Sequence, residues 1–200
     1  SYFPRDNNRK IGKKKFTRKD LNISENSFVF CNFNNSYKIT LEEFEIWMKL
    51  LQKIDNSTLL LLETNNEMKK NLYFEAVKFN INEDRIVFIK KTIFEDHLSR
   101  HSLADLFLDT FNYNAHTTAV DALWTGLPII TKPGKSFSSR VCGSLLKFFD
   151  LDELILKNKD FKKTENFLKG MSKEIEEAGL ERFEEITSEL IKNGTIKPKG

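Results

Sequence analysis

The 200-residue chain is poor in cysteine, with two, and in histidine, with three, and it holds only four prolines and eight glycines. Cys31 and Cys142 stand far apart in apolar surroundings. That excludes a disulfide scaffold and leaves buried free thiols in a reducing compartment as the simplest account. Three histidines with no nearby cysteine or carboxylate cluster make a weak case for a metal site. No apolar run approaches the ~20 residues a membrane span needs, and no signal peptide is visible. There is no low-complexity segment and no internal repeat, the tetratricopeptide pattern included. A soluble, cytoplasmic protein without a membrane partner is expected. Its first residues, Ser1-Tyr2-Phe3, lack an initiator methionine and read as the start of a fragment.

What is present is enough for a full core: 40% of residues are hydrophobic, and the net charge is only +3. The positive excess is local. Residues 5–19 carry Arg5, Arg9, Lys10, Lys13, Lys14, Lys15, Arg18 and Lys19, opposed only by Asp6. Such a run can contact nucleic acid or anionic lipid, or it can be a solvated connector. No aromatic-rich platform accompanies it, so an RNA-binding module is the lesser reading and no nucleic-acid partner is expected.

Residues 1–26 read as this basic arm, with few periodic apolar positions. Ser27–Phe33 (SFVFCNF) is apolar nearly throughout, as a parallel strand covered on both faces should be. After the polar turn Asn34–Lys38, Thr40 and Glu43 form a capping box, and Leu41, Phe44, Met48 and Leu51 form a helical stripe. Strands then follow at Ser57–Glu63, Arg85–Lys90, Leu106–Phe111 and Pro128–Thr131. Helices over Glu67–Phe79, Glu95–Ser102 and Thr117–Thr125 alternate with them, and another spans Ser138–Phe149. Glu153–Leu156 reads as a short last strand, and Phe161–Lys192 as charged helix. The alternation predicts an α/β fold, a doubly wound, Rossmann-like parallel sheet, over residues 27–158, with C-terminal helices over 159–200.

Ligands of such sheets bind beyond the carboxyl ends of the strands. That rule gathers the turns Asn34–Lys38, Lys91–Arg100 and Asn112–Asp121 into one crevice. In the last of these, strand, polar turn and helix start follow one another in LFLDTFNYNAHTTAV, Leu106–Val120. The first turn of a helix has unpartnered N–H groups and roughly half a positive charge, which suits an anion. His116, Thr117 and Thr118 stand at that point, and Asp121 follows Thr117 by one turn. Spacing alone leaves an ordinary threonine cap as an equal reading. A Walker-type loop is excluded, because Gly126 and Gly134 are wrongly spaced for GxxxxGK[ST].

The string LDTFNYNAHTTAVDALWTGLPIITKPGKSFSSRVCGSLL, Leu108–Leu146, resembles the nucleotide-sugar signature of the protein O-GlcNAc transferases. These are the family 41 glycosyltransferases, which include bacterial relatives and the plant Spindly O-fucosyltransferases. FNNSYKIT, Phe33–Thr40, resembles a second family segment. The resemblance implies the second lobe of a two-lobed, GT-B inverting glycosyltransferase that needs no metal or cofactor. Its substrates would be a nucleotide sugar, UDP-GlcNAc first, and protein Ser/Thr hydroxyls. A first catalytic lobe and a tetratricopeptide array would lie outside this chain. The carried-over roles are Lys38 on the diphosphate as the catalytic cation, and Thr117 and Thr118 on the diphosphate, with His116 beside them able to donate to a phosphate or a sugar oxygen. Asp121 would take the ribose, and His97 and Arg100 the nucleotide pocket. Asn35 stands where the animal enzymes have glutamine and Phe94 where they have lysine, which opens GDP-fucose as an alternative donor. His101 has no family counterpart and reads as a surface histidine. Arg140 reads as a tie between loop and helix, and Asp150 and Glu153 as ordinary caps.

Overall fold

The computed structural model describes residues 9–156. The helices expected over Phe161–Lys192 lie outside the described residues. Five parallel strands, β1 Phe28–Asn32, β2 Ser57–Leu62, β3 Ile86–Ile89, β4 Leu106–Leu108 and β5 Ile129–Ile130, form one sheet in the order β3-β2-β1-β4-β5. The helices between them are α1 Leu41–Lys53, α2 Asn66–Val77, α3 Phe94–Ser99 and α4 Thr117–Trp124, and α5 Val141–Phe148 follows β5. The chain runs outward from β1 to β3 and then returns to the other side of β1. The switch point therefore falls between β1 and β4.

Successive side chains of a strand face opposite sides of the sheet, and the two cores obey this. Phe30, Leu59, Leu61, Leu106 and Leu108 pack with Phe44, Trp47, Met48 and Leu51 of α1 and Ala76 of α2. Val29, Cys31, Leu60, Phe107 and Ile129 pack with Ala119 and Ala122 of α4 and Cys142 and Leu146 of α5. Both faces are covered, which is why the strands read as continuous apolar runs. Burial pushes both cysteine thiols up, so they are inert packing groups.

The ends of the elements depart from the periodicity. The strand expected to run to Phe111 stops at Leu108, because Asp109 turns inward and binds backbone N–H groups of the following loop. The helix expected over Glu95–Ser102 divides into α3 and a 3₁₀ turn, Arg100–Leu103. Glu153–Leu156 is no strand: Asp152–Leu154 is a 3₁₀ turn, and only Ile155 bridges, to Thr131. Gly126, at φ 81°, ends α4 in a left-handed position, with Leu127 N–H returning to Ala122 O at 2.8 Å. Asp150 does the same for α5 at φ 55°, so it is a helix terminator and no N-cap, and Glu153 caps nothing.

From Arg9 onward the basic arm touches the fold at intervals, through Arg9, Gly12 and Arg18, while most of its lysines stay in solvent. A 3₁₀ turn, Arg18–Leu21, carries Arg18 over the amino ends of β1 and β4. There its guanidinium donates to both carboxylate oxygens of Asp105, each at 2.8 Å, and to Leu103 O and Ser27 O. Ile23 joins the core. Lys13, Lys14 and Lys15 remain exposed.

Candidate functional site

A buried polar frame ties the carboxyl ends of β1 and β4 together. Asn32 donates to Leu108 O at 2.6 Å and accepts from Asn34 N–H at 3.0 Å. Asn34 donates to Thr110 Oγ1 at 2.9 Å and accepts from Thr118 Oγ1 at 2.5 Å, which joins the β1 turn to the first turn of α4. Asp109, wholly buried, accepts from Ala115 N–H at 2.5 Å, Thr110 N–H at 2.8 Å and Thr131 Oγ1 at 2.5 Å. Burial pushes its carboxyl up to about 6, against the pull of those bonds. Glu43 braces the same loop from α1. Its Oε2 closes the expected capping box on Thr40, while its Oε1 accepts from Phe111 N–H at 2.9 Å. The spacing showed the cap; the reach to Phe111, across 68 residues, has no local signature.

On this frame Lys38 and the His116–Thr118 segment, four of the expected site residues, are gathered. Lys38 ends the 3₁₀ turn Ser36–Lys38. Its Nζ donates to Asn114 O at 3.0 Å and sits 3.9 Å from the Tyr113 ring centroid. Burial lowers its pKa from the ordinary lysine value, and the Asp109 carboxyl beneath opposes that. His116 is the N-cap residue of α4 and gives no side-chain cap. Its Nε2 donates to Ser138 O at 3.2 Å; burial lowers its pKa and the charge of Lys38 acts the same way, while the bond to Ser138 opposes both. The first α4 bond runs from Val120 N–H to His116 O, 3.2 Å, so the N–H groups of Thr117, Thr118 and Ala119 precede the ladder. Thr117 is exposed at that mouth, whereas the Thr118 hydroxyl is given to Asn34. Asn35 is exposed at the turn's start and makes no cap bond.

Asp121, one turn further along α4, is buried and is not alone there. Arg9 of the arm pairs with its Oδ1 and lies 5.6 Å from the ring centroid of Phe94, the residue that opens α3. Burial raises the Asp121 carboxyl to about 6, and Arg9 opposes the rise. Arg9 was legible only as one cation in a basic run; its pairing with a residue 112 positions away needed the fold.

His97 and Arg100 separate. His97 packs inward, 5.3 Å from Phe33 and 5.1 Å from His101 between ring centroids, and burial lowers its pKa with help from Arg100. Arg100 turns back, donating to Lys90 O at 2.5 Å and lying over Phe16. His101 is no surface residue: it is 1% exposed, its Nδ1 faces His97 O at 3.0 Å, and burial lowers its pKa to about 4. It packs edge-on to Phe33, the ring that His97, four residues earlier, also meets. Arg140 is exposed, and it is its backbone that joins loop to helix, donating to Phe137 O at 3.1 Å and accepting from Ser144 N–H at 2.9 Å.

Residues 10–177 match the model of glycosyl transferase family 41. The chain belongs to that family. A Caenorhabditis elegans relative, a UDP-N-acetylglucosamine–peptide N-acetylglucosaminyltransferase, is 36% identical over 143 residues, which is 72% of this chain and 12% of the relative. The Arabidopsis thaliana protein SEC, a probable enzyme of the same name, is 38% identical over 64% of this chain and 13% of its own length. SPINDLY of Arabidopsis thaliana is 31% identical over 68% of this chain and 15% of its own length. The family 41 chain thus spans a small part of the relatives it matches. Among solved structures, a mutant O-GlcNAc transferase of Thermobaculum terrenum superposes with a TM-score of 0.76 at 24% identity, covering 84% of this chain and 32% of that one. The C-terminal domain of a group 1 glycosyl transferase from Francisella tularensis superposes at 0.60 and 13% identity, covering 95% and 97%. These likenesses show the fold, a Rossmann-like lobe of the GT-B kind.

Proposed function

We propose that this family 41 lobe binds the diphosphate of a nucleotide-sugar donor, UDP-GlcNAc, for transfer of the sugar to protein Ser/Thr hydroxyls. The observation that carries the reading is the meeting of the Lys38 ammonium, 3.0 Å from Asn114 O, with the open first turn of α4 at the switch point of the sheet. In an inverting displacement the acceptor oxygen attacks the anomeric carbon as the bond to the diphosphate breaks. Negative charge then grows on the departing phosphate. Lys38 and the N–H groups of Thr117 and Thr118 stabilise it where a metal would otherwise be needed. Asp121 receives the ribose, and Asn35, Phe94 and His97 border the base. Acceptor binding and the rest of the sugar pocket come from a facing lobe, as suits a chain matching 12–15% of each of the relatives described.

Calorimetric titration with UDP, GDP and UDP-GlcNAc, with Thr117→Ala as control, tests the donor. UDP binding that the substitution abolishes supports the reading. GDP binding in its place assigns a fucosyl-type donor, for which Asn35 and Phe94 give room. Binding of neither, by a form that includes the facing lobe, overturns the crevice as a donor site.

A further inference from the structure

The arm before β1 does something that donor binding alone does not require. Gly12 N–H donates to Glu95 O at 2.8 Å, and a Cβ on Gly12 would come within 2.8 Å of Asp96 Oδ1 and 2.9 Å of the Glu95 carbonyl carbon. The arm is therefore seated closely on the start of α3. From that seat Arg9 reaches across to α4, with its guanidinium over Phe94 and one nitrogen on Asp121 Oδ1. Both partners are largely covered, the side chains being 15% and 7% exposed. Oδ2 of Asp121 accepts no hydrogen bond among the described residues.

We propose that Arg9 is a positioning residue of the donor site: it holds one carboxylate oxygen of Asp121 so that the other meets the ribose hydroxyls of the nucleotide. The inference rests on the donor-binding reading above. A carboxylate has about four acceptor positions, so one Arg9 contact leaves room for the vicinal diol. The planar guanidinium, stacked on Phe94 and tied at one end, fixes the carboxylate's direction as a mobile lysine would not. It also supplies the counter-charge without which a buried carboxyl goes neutral and its acceptor bonds lose their charge assistance. Of the titratable groups on neighbouring elements, among them Glu95, Asp96 and His97 on α3 and Lys38 and His116 across the crevice, Arg9 is the one that acts on Asp121 among the described residues.

The test is binding of UDP, or GDP if that is the nucleotide taken, from pH 5 to 8 by wild type, Arg9→Gln, Arg9→Lys and Asp121→Asn. Wild-type affinity should fall as the pH drops through about 6, where Asp121 takes its proton. Arg9→Gln should weaken binding at pH 7 on the order of tenfold, one pKa unit's worth, and move the acid limb to higher pH. Arg9→Lys should recover part of both effects, and Asp121→Asn should remove the limb and make Arg9→Gln silent. The penalty of Arg9→Gln should nearly vanish for the 2′,3′-dideoxy nucleotide, which a merely structural role of the arm would not produce. Equal or tighter binding by Arg9→Gln, or the same loss with the dideoxy nucleotide, overturns the proposal. If wild type in a form that includes the facing lobe binds no nucleotide, the donor reading is what fails. The Asp121 carboxyl titration, followed by NMR without ligand, then decides about Arg9, and an unchanged midpoint in Arg9→Gln sinks it.

Discussion

Lys38 is a cation held half out of water by a carbonyl and an aromatic ring, neither of which neutralises it. Such a group gains most when negative charge appears beside it, as it would in the proposed departure of a diphosphate. In a form that includes the facing lobe, Lys38→Ala is accordingly expected to lower turnover on the order of 10²–10³-fold while donor affinity falls much less. Steady-state rates beside calorimetry check this, and equal losses would make Lys38 a binding residue only. The buried carboxyls give a second prediction. Asp109 and Asp121 both sit at about 6 in the fold, against an ordinary 3.8. The folded state thus holds their protons more tightly than the unfolded chain. Their stabilising contribution is complete below the ordinary value and is lost as the pH rises through about 6. Asp109→Asn should flatten the fall of unfolding free energy across that window. An unchanged slope in denaturant titrations would show that Asp109 does not titrate there.

At the scale of elements, residues that look like ends of helices or strands hold the crevice loops. Glu43 caps α1 and also carries Phe111 N–H, so Glu43→Ala leaves donors on two elements without an acceptor. The expected cost is about 1–3 kcal/mol of unfolding free energy, larger than a cap alone gives. Restoring Thr40 capping by Glu43→Gln should recover only part of it. The five strands and their order were legible because each is an apolar run, and α1 because it has a stripe; the strand read at Glu153–Leu156 does not form. Element ends were not, since they are decided by side chains that reach out of their own segment. Asp109 stops β4 by binding Thr110 and Ala115, and Phe33, from the end of β1, takes His101 into the core. Neither choice leaves a mark in local spacing.

For the molecule as a whole, two apolar layers clamp one sheet, and its central strands are sealed on both faces. Leu60, fully buried in β2, should lose about 2–5 kcal/mol on replacement by alanine, read from the denaturation midpoint. A rigid sheet of this kind serves as a platform for loops, and the crevice lies along one rim. One rim gives the proposed donor a surface but does not enclose an acceptor. The 200-residue chain is therefore expected to bind UDP weakly and to transfer no sugar to a peptide; glycosylated peptide from this chain alone would contradict the need for a facing lobe.

The sequence by itself determined the parallel α/β order, the two layers, and the Lys38 and His116–Asp121 segments, because periodicity, caps and a long motif are properties of neighbouring residues. It named Asn34 as a turn residue and Glu43 as a cap, and read Asp109 only as part of a strand, without their joint task. Only the tertiary structure decided that Thr118 spends its hydroxyl on Asn34, that His97 and Arg100 part company, and that Arg9 closes on Asp121. Those outcomes depend on which strand ends lie side by side at the switch point. That adjacency arises from packing the whole sheet, and no local stretch of chain encodes it.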